Sequence, residues 1–125
     1  GIDNYRYTLL RRALKENLYA SDEKGYGNIM LVRPSNEMMI MPVITSQLVN
    51  HKLAVGDNPL FRWAMNNTKV CTSSAGNMTY GKIEPKSRKT DPFKAYVAAK
   101  AAQNKIAEQI SSMPMGKSVM NVFTY

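Results

Sequence analysis

The stretch Gly56–Asp91, GDNPLFRWAMNNTKVCTSSAGNMTYGKIEPKSRKTD, decides how this chain folds. It opens on a Gly-Asp-Asn-Pro turn, in which Asp57 or Asn58 caps a helix and the proline occupies the first helical turn. Two strand-like segments follow at 68–72 and 78–83, and a Ser-Ala-Gly-Asn turn separates them. The stretch therefore predicts a short helix that leads into a β-hairpin.

A basic segment (residues 82–89) and one acidic residue close this stretch. Asp91 stands immediately before Pro92 and a long helical pattern, which is the place of an N-cap residue. A carboxylate at the edge of a basic surface is also an arrangement that phosphate chemistry can use. The residues alone leave both interpretations of Asp91 open. The basic segment contains four cations: Lys82, Lys86, Arg88 and Lys89.

The charge balance indicates a polyanionic partner. The 125 residues contain 17 Lys and Arg against 9 Asp and Glu, which gives a net charge of +8. Residues 82–105 hold seven basic and two acidic residues, so five of the eight net charges lie there. Nucleic acid is favoured over a membrane surface, because no basic helix with bulky apolar anchors accompanies the charge. A solvated charged face is the alternative.

Several kinds of site are excluded by what the sequence lacks. Cys71 is the single cysteine, so an internal disulfide is impossible and a reducing compartment is expected. Cys71 with His51, the single histidine, is too little for a structural zinc site. No P-loop, GxGxxG or GxSxG pattern occurs. The longest apolar run, 38–44, is too short to span a bilayer. Any chemistry therefore rests on carboxylates.

The remaining elements follow from periodicity and helix signals. A first helix is expected to open at Asp3 as N-cap, and 28–33 reads as a strand that ends before Pro34. Pro42 is placed in the first turn of a second helix that ends near Lys52. Apolar side chains at helical spacing predict the buried face of the first helix. These residues are Leu9, Leu10, Ala13 and Leu14.

The last helix starts at Asp91, and its apolar stripe fades near residue 110. We therefore expect one domain over residues 1–110 and a C-terminal tail over 111–125, in which 119–125 forms a strand or a loose end. Trp63 and the methionines of 38–41 are expected in the core. The predicted fold class is α/β, a small mixed sheet with the hairpin flanked by helices.

Five residues of the opening stretch keep the spacing G-x-N-P-x-x-x-W-x-x-x-N, which resembles a signature of bacteriophage terminase large subunits. They are Gly56, Asn58, Pro59, Trp63 and Asn67. The hairpin, the basic segment and an acidic residue before an alanine-rich helix continue the resemblance. Upstream, the segment GIDNYR at 1–6 is similar to the acidic end of a strand that precedes a helix in the same family. The resemblance covers about residues 2–102.

This resemblance implies the C-terminal, ribonuclease-H-like nuclease domain of a phage or prophage terminase, which packages viral DNA. In that family, acidic residues bind Mg²⁺ or Mn²⁺ and the domain cuts concatemeric DNA. Asp3 and Asp91 would then be the catalytic, metal-binding carboxylates, since hard oxygen ligands suit these ions. The cations of the basic segment would hold the double-stranded DNA backbone without reading its sequence. The implied partners are the portal and the small terminase subunit, in the bacterial host cytoplasm and away from membranes.

The sequence also departs from the family. The family's first acidic strand and its ATPase domain would lie ahead of Gly1, so the fold is expected to be partial and the isolated activity weak or absent. An apolar-Asp-Gly pattern is replaced by Thr-Asp-Pro around Asp91. The alternative is a non-catalytic basic module that binds DNA or docks a protein, in which Asp3 and Asp91 only cap helices. The two interpretations differ in geometry, because a nuclease needs both carboxylates on one face.

Overall fold

The computed structural model describes residues 1–18, 20 and 27–112. Within these ranges the chain is α/β, with four helices and two small two-stranded sheets. The elements in chain order are β1 (Ile2–Asp3), α1 (Tyr7–Asn17), β2 (Leu31–Val32), α2 (Pro34–Val49), α3 (Pro59–Asn66), β3 (Thr68–Thr72), β4 (Met78–Lys82) and α4 (Asp91–Ser112). The expected tail and terminal strand lie outside the described residues, apart from the last two residues of α4.

The strands form two separate pairs rather than the single mixed sheet that the sequence predicted. β1 and β2 pair in parallel through Ile2 with Leu31 and Asp3 with Val32, and α1 lies in the connection between them. β3 and β4 pair antiparallel in the predicted hairpin, whose turn contains Gly76 at a positive φ of 81°. The hairpin prediction is confirmed, because its turn chemistry is local.

Helix α2 begins eight residues earlier than the sequence predicted. Pro34 occupies the first turn, and the Arg33 N–H donates to Asn36 Oδ1 at 2.9 Å. Pro42 therefore lies inside the helix, where it removes one backbone hydrogen bond. Apolar residues on both sides of this proline are buried, Ile40 and Ile44 among them, and their burial offsets that loss. The prediction of a helix start at Pro42 was wrong for this reason.

Helix α1 begins at Tyr7, and Arg6 occupies its N-cap position with a positive φ of 57°. The expectation that Asp3 caps this helix was therefore wrong. The predicted apolar stripe exists, but no residue of α1 is buried, and Leu9 is 67% exposed. Helix α1 thus contributes little to the core.

The core lies between α2 and α4, with β4 against them. Small alanines on α4 allow close approach, and a Cβ on Gly1 would lie 2.3 Å from the Ala98 carbonyl oxygen. Helix α3 joins this core through Ala64, and Phe61 meets Tyr96 edge-on at 5.5 Å. The buried cluster comprises Val32, Ile40, Met41, Ile44, Phe93, Val97, Ala98 and Ala101.

Two residues expected in the core lie at the surface instead. Trp63 is 45% exposed and Met39 is 70% exposed. In each case the next residue of the helix, Ala64 or Ile40, is the buried one. Cys71, the single cysteine, is half-buried. None of the helices within the described ranges combines the length and the apolar character needed to cross a membrane.

Candidate functional site

Asp3 and Asp91 line the same cleft. The cleft has a volume of about 330 Å³ and lies where the end of β1, the first turn of α2 and the first turns of α4 come together. We call it the carboxylate cleft and define it by four charged residues: Asp3, Glu37, Asp91 and Lys94. Two carboxylates from opposite ends of the described chain thus face one space.

Asp3 is held at the end of β1 by two donors. Its Oδ1 accepts a hydrogen bond from the Tyr5 N–H at 2.9 Å, and its Oδ2 forms an ion pair with the Lys94 ammonium. The Lys94 hydrogen bond first, and then the Tyr5 N–H, holds the pKa of Asp3 below its ordinary value. The Asp3 carboxylate is therefore ionised at neutral pH and already has a cationic partner.

Asp91 is the first residue of α4 and is exposed. The Thr90 carbonyl accepts the Lys94 N–H at 2.9 Å, so the buried Thr90 takes the cap position, which was one of the two interpretations that the sequence left open for Asp91. A carboxylate in the first helical turn is stabilised by the helix dipole. Among the described residues, no side chain forms an ion pair or hydrogen bond with the Asp91 carboxylate.

Glu37 is a carboxylate of the cleft that the sequence analysis missed. It lies in the first turn of α2, and its Oε1 is 3.5 Å from the Tyr80 hydroxyl, a long contact that the hydroxyl donates. Burial raises the pKa of Glu37, and burial likewise raises the pKa of Tyr80. Pro34 followed by an acidic residue is a helix-start signal that would have found Glu37, had α2 been placed correctly.

Lys94 is the cation of the cleft, and the sequence analysis did not single it out. It lies one helical turn after Asp91, so its position follows from i to i+3 spacing on α4. The hydrogen bond to Asp3 raises the pKa of Lys94. The negative charges of Asp3, Glu37 and Asp91 also raise it, whereas partial burial lowers it. Its ammonium therefore lies within electrostatic range of all three carboxylates.

The carboxylate cleft does not form a complete metal site on its own. Its oxygen donors are the type that Mg²⁺ and Mn²⁺ prefer. However, no three acidic, histidine or cysteine side chains of residues 1–18, 20 and 27–112 converge closely enough to hold a metal ion. In addition, Asp3 is engaged by Lys94. The described residues supply only part of such a ligand set.

The four cations of the basic segment differ in burial and in their contacts. Arg88 pairs with Glu84 at 3.5 Å and donates to Asn67 Oδ1 at 3.3 Å, so it has a structural role. Lys86 and Lys89 are exposed, and Lys82 is half-buried at the end of β4. Of the four residues predicted to contact DNA, Lys86 and Lys89 are therefore the two exposed lysines.

Asn67 is bonded to the loop that leads from β4 to α4, the helix that begins with Asp91. It is 1% exposed, and its Nδ2 donates to the Lys89 carbonyl at 3.1 Å. The backbone carbonyl of Asn67 accepts the Ile83 N–H at 2.9 Å. The side-chain amide and the backbone carbonyl of this one buried residue therefore hold the two ends of the loop between β4 and α4, and with it the start of the helix that bears Asp91. Sequence analysis used Asn67 only as one residue of a pattern.

Comparisons with protein-family models, with curated proteins and with solved structures find no match to this chain. The residue pattern and the geometry of the carboxylate cleft therefore have to support any functional assignment.

Proposed function

We propose that this chain is part of the nuclease domain of a phage terminase large subunit, and that the carboxylate cleft belongs to its metal-dependent DNA-cutting site. One observation supports this most strongly. Asp3 and Asp91 were selected from the sequence as the two ligands, and they line a single cleft in the fold. A parallel strand that ends in an acidic residue and a helix that begins with one are also consistent with a partial ribonuclease-H-like arrangement.

The proposed division of labour follows from where the charges lie. Asp3 and Asp91 would contribute oxygen ligands, and at least one further ligand would complete the set, since the described residues offer no third one that converges. Bound Mg²⁺ or Mn²⁺ would supply an activated water and stabilise the leaving oxygen of the phosphodiester. Lys82, Lys86 and Lys89 would hold the DNA backbone through phosphate contacts that carry no sequence information.

The metal part of this proposal can be tested without activity. Paramagnetic Mn²⁺ titrated into the ¹⁵N-labelled chain is expected to broaden the amide signals of the cleft-lining residues before others. Asp91→Asn should abolish that selective broadening. Asp57→Asn is the matched control, because Asp57 pairs with Arg62 at the surface outside the cleft. Broadening that is absent, or is spread evenly over surface carboxylates, would contradict the assignment.

Activity provides a second test. Plasmid nicking in Mn²⁺ by the chain alone is expected to be weak or undetectable, because the described ligand set is incomplete. Robust Mn²⁺-dependent cutting that disappears in Asp91→Ala would show that residues 1–125 suffice for catalysis. Robust cutting that survives Asp91→Ala would place the chemistry elsewhere.

A second function, a non-catalytic basic module that binds DNA or docks another packaging protein, is favoured by one observation. Lys94 already neutralises Asp3, which is how a structural rather than a catalytic carboxylate is satisfied. Under this proposal, DNA binding is independent of divalent metal. Lys86→Ala/Lys89→Ala should lower the salt slope of log K by about 2, against a Lys52→Ala/Lys100→Ala control with the same charge change. Fluorescence anisotropy with and without Mn²⁺ separates the two functions.

A further inference from the structure

Trp63 is a large aromatic residue at the surface that the carboxylate cleft does not use. It is the single tryptophan of the chain, and 45% of it is exposed. Leu60, three residues earlier on α3, is 61% exposed. Because residues three apart on a helix are neighbours, these two side chains give α3 an apolar outer surface.

The basic segment lies beside Trp63. Asn67 follows Trp63 by four residues, so the two are neighbours on the same side of the helix end. The Asn67 N–H donates to the Trp63 carbonyl at 3.2 Å. The Asn67 side chain accepts a hydrogen bond from Arg88 at 3.3 Å and donates to the Lys89 carbonyl at 3.1 Å. Asn67 therefore holds the basic segment about one helical turn from Trp63.

The charge that the basic segment presents next to Trp63 is positive. Glu84 is paired with Arg88, so these two charges offset each other. Lys86 and Lys89 are exposed, and neither ammonium forms an ion pair or a hydrogen bond within the described ranges. An exposed aromatic ring beside such cations is the combination with which proteins bind single-stranded nucleic acid, since bases stack on the ring and cations hold the phosphates.

We propose that Trp63 is a stacking platform for an unpaired base, and that Lys86 and Lys89 hold the neighbouring phosphates. We call these three residues the stacking surface. It selects single-stranded DNA or an opened duplex, because the bases of an intact duplex are already stacked on one another. This inference rests on the part of the proposed function in which the basic segment contacts DNA, and it involves no metal.

Nucleic acid fits the stacking surface better than a protein partner does. A protein could also cover Leu60 and Trp63, since aromatic residues are enriched in protein interfaces. Lysine, however, is depleted in such interfaces, whereas two exposed lysines accompany the ring here. A nucleotide uses both features at once, because it carries a flat base and a phosphate.

The single tryptophan makes the test direct. Fluorescence of the full chain, excited where tyrosine does not absorb, reports Trp63 alone. A short oligothymidylate should quench this emission, because a stacked base contacts the ring. A strand of the same length that is abasic throughout carries the same charge and should leave the emission almost unchanged. A closed circular duplex, which has no frayed ends, should bind without comparable quenching.

Variants of Trp63 measure what the ring contributes. Trp63→Leu keeps an apolar side chain and removes the aromatic ring, so it should weaken oligothymidylate binding about fivefold or more in fluorescence anisotropy. Trp63→Phe keeps a ring and should recover most of the affinity. Leu60→Ala is the matched control on the same exposed surface and should change the affinity less than twofold. Circular dichroism establishes that each variant is folded.

The possible results separate this proposal from the proposed function. Quenching by oligothymidylate, together with weaker binding of Trp63→Leu, supports the stacking platform. Binding of the strand without quenching, or with equal affinity in Trp63→Leu, overturns the role of Trp63 and leaves DNA binding by the basic segment standing. No binding of either the single strands or the duplex overturns the stacking platform together with the DNA contacts of the proposed function.

Discussion

The two walls of the carboxylate cleft are built very differently. Asp91 stands on α4, a 22-residue helix that packs against α2 through fully buried side chains such as Val97. Asp3 stands on β1, a strand of two residues that leads into α1, a helix with no buried residue. One carboxylate is therefore fixed by the core, whereas the other depends on a short strand and on its bond to Lys94. The proposed metal site would need both walls, so the weaker wall would limit it.

Truncation of the core should have the largest effect. Ile44 is fully buried between α2 and α4, so Ile44→Ala should lower the free energy of unfolding by about 2–5 kcal/mol. Leu9→Ala, the same kind of truncation on exposed α1, should change it by less than about 0.5 kcal/mol. Urea unfolding measures both. Similar costs for the two variants would mean that α1 is as firmly packed as α2.

Loss of the Asn67 amide should come next. Asn67→Ala leaves the Lys89 carbonyl without its donor in a partly buried position, at a cost of about 1–3 kcal/mol. The adjacent and exposed Asn66→Ala is the control and should be near neutral. If Asn67→Ala were as mild as the control in urea unfolding, the loop that leads to Asp91 would have to be held by other contacts.

Asn58 and Asn67 show what could and could not be predicted from the sequence. The helix cap, predicted as Asp57 or Asn58, is Asn58, and the hairpin predicted at 68–72 and 78–83 forms at 68–72 and 78–82. Both could be predicted because caps and turns are encoded by neighbouring residues. Asn67 was placed in the pattern, but its bond to Lys89 spans 22 residues and depends on the folded loop. A cap or a turn can be predicted from neighbouring residues, whereas a hydrogen bond between distant residues cannot.

The carboxylate cleft itself was only half predictable. Asp3 and Asp91 came from a family resemblance. Glu37 was missed because it reaches the cleft through the packing of α2 on α4. Lys94 lies one helical turn after Asp91 on the same helix, but its pairing with Asp3 is a tertiary contact. Glu37 was also hidden by the assignment of Pro42 as a helix start. That assignment followed the usual preference of proline, which burial of the flanking apolar residues overrides in α2.

The smallest expected effect is a pH dependence of stability, which should have opposite signs for Glu37 and Asp3. Burial raises the folded-state pKa of Glu37 above its ordinary value of 4.5, so its contribution to stability is complete below about pH 4.5 and is lost as the pH rises. Glu37→Gln should therefore be slightly more stable than the wild type at pH 7, by less than about 1 kcal/mol because the group is only partly buried.

Asp3 should show the opposite sign. Its folded-state pKa is lowered from 3.8, so its contribution is present above that pH and is lost as the pH falls through the folded-state value. Asp3→Asn should then be slightly less stable than the wild type at pH 7, and the difference should vanish in acid. Thermal unfolding at pH 3, 5 and 7 measures both variants. A shared sign for the two variants would contradict the distinct environments of Glu37 and Asp3.

The central proposal is that Asp3 and Asp91 jointly receive a divalent ion. A crystal of the chain grown in Mn²⁺ tests it directly, because anomalous scattering locates manganese. The proposal predicts an anomalous peak in the carboxylate cleft, within about 2.0–2.6 Å of an oxygen of Asp3 and of Asp91. A cleft without manganese at saturating concentration would contradict it.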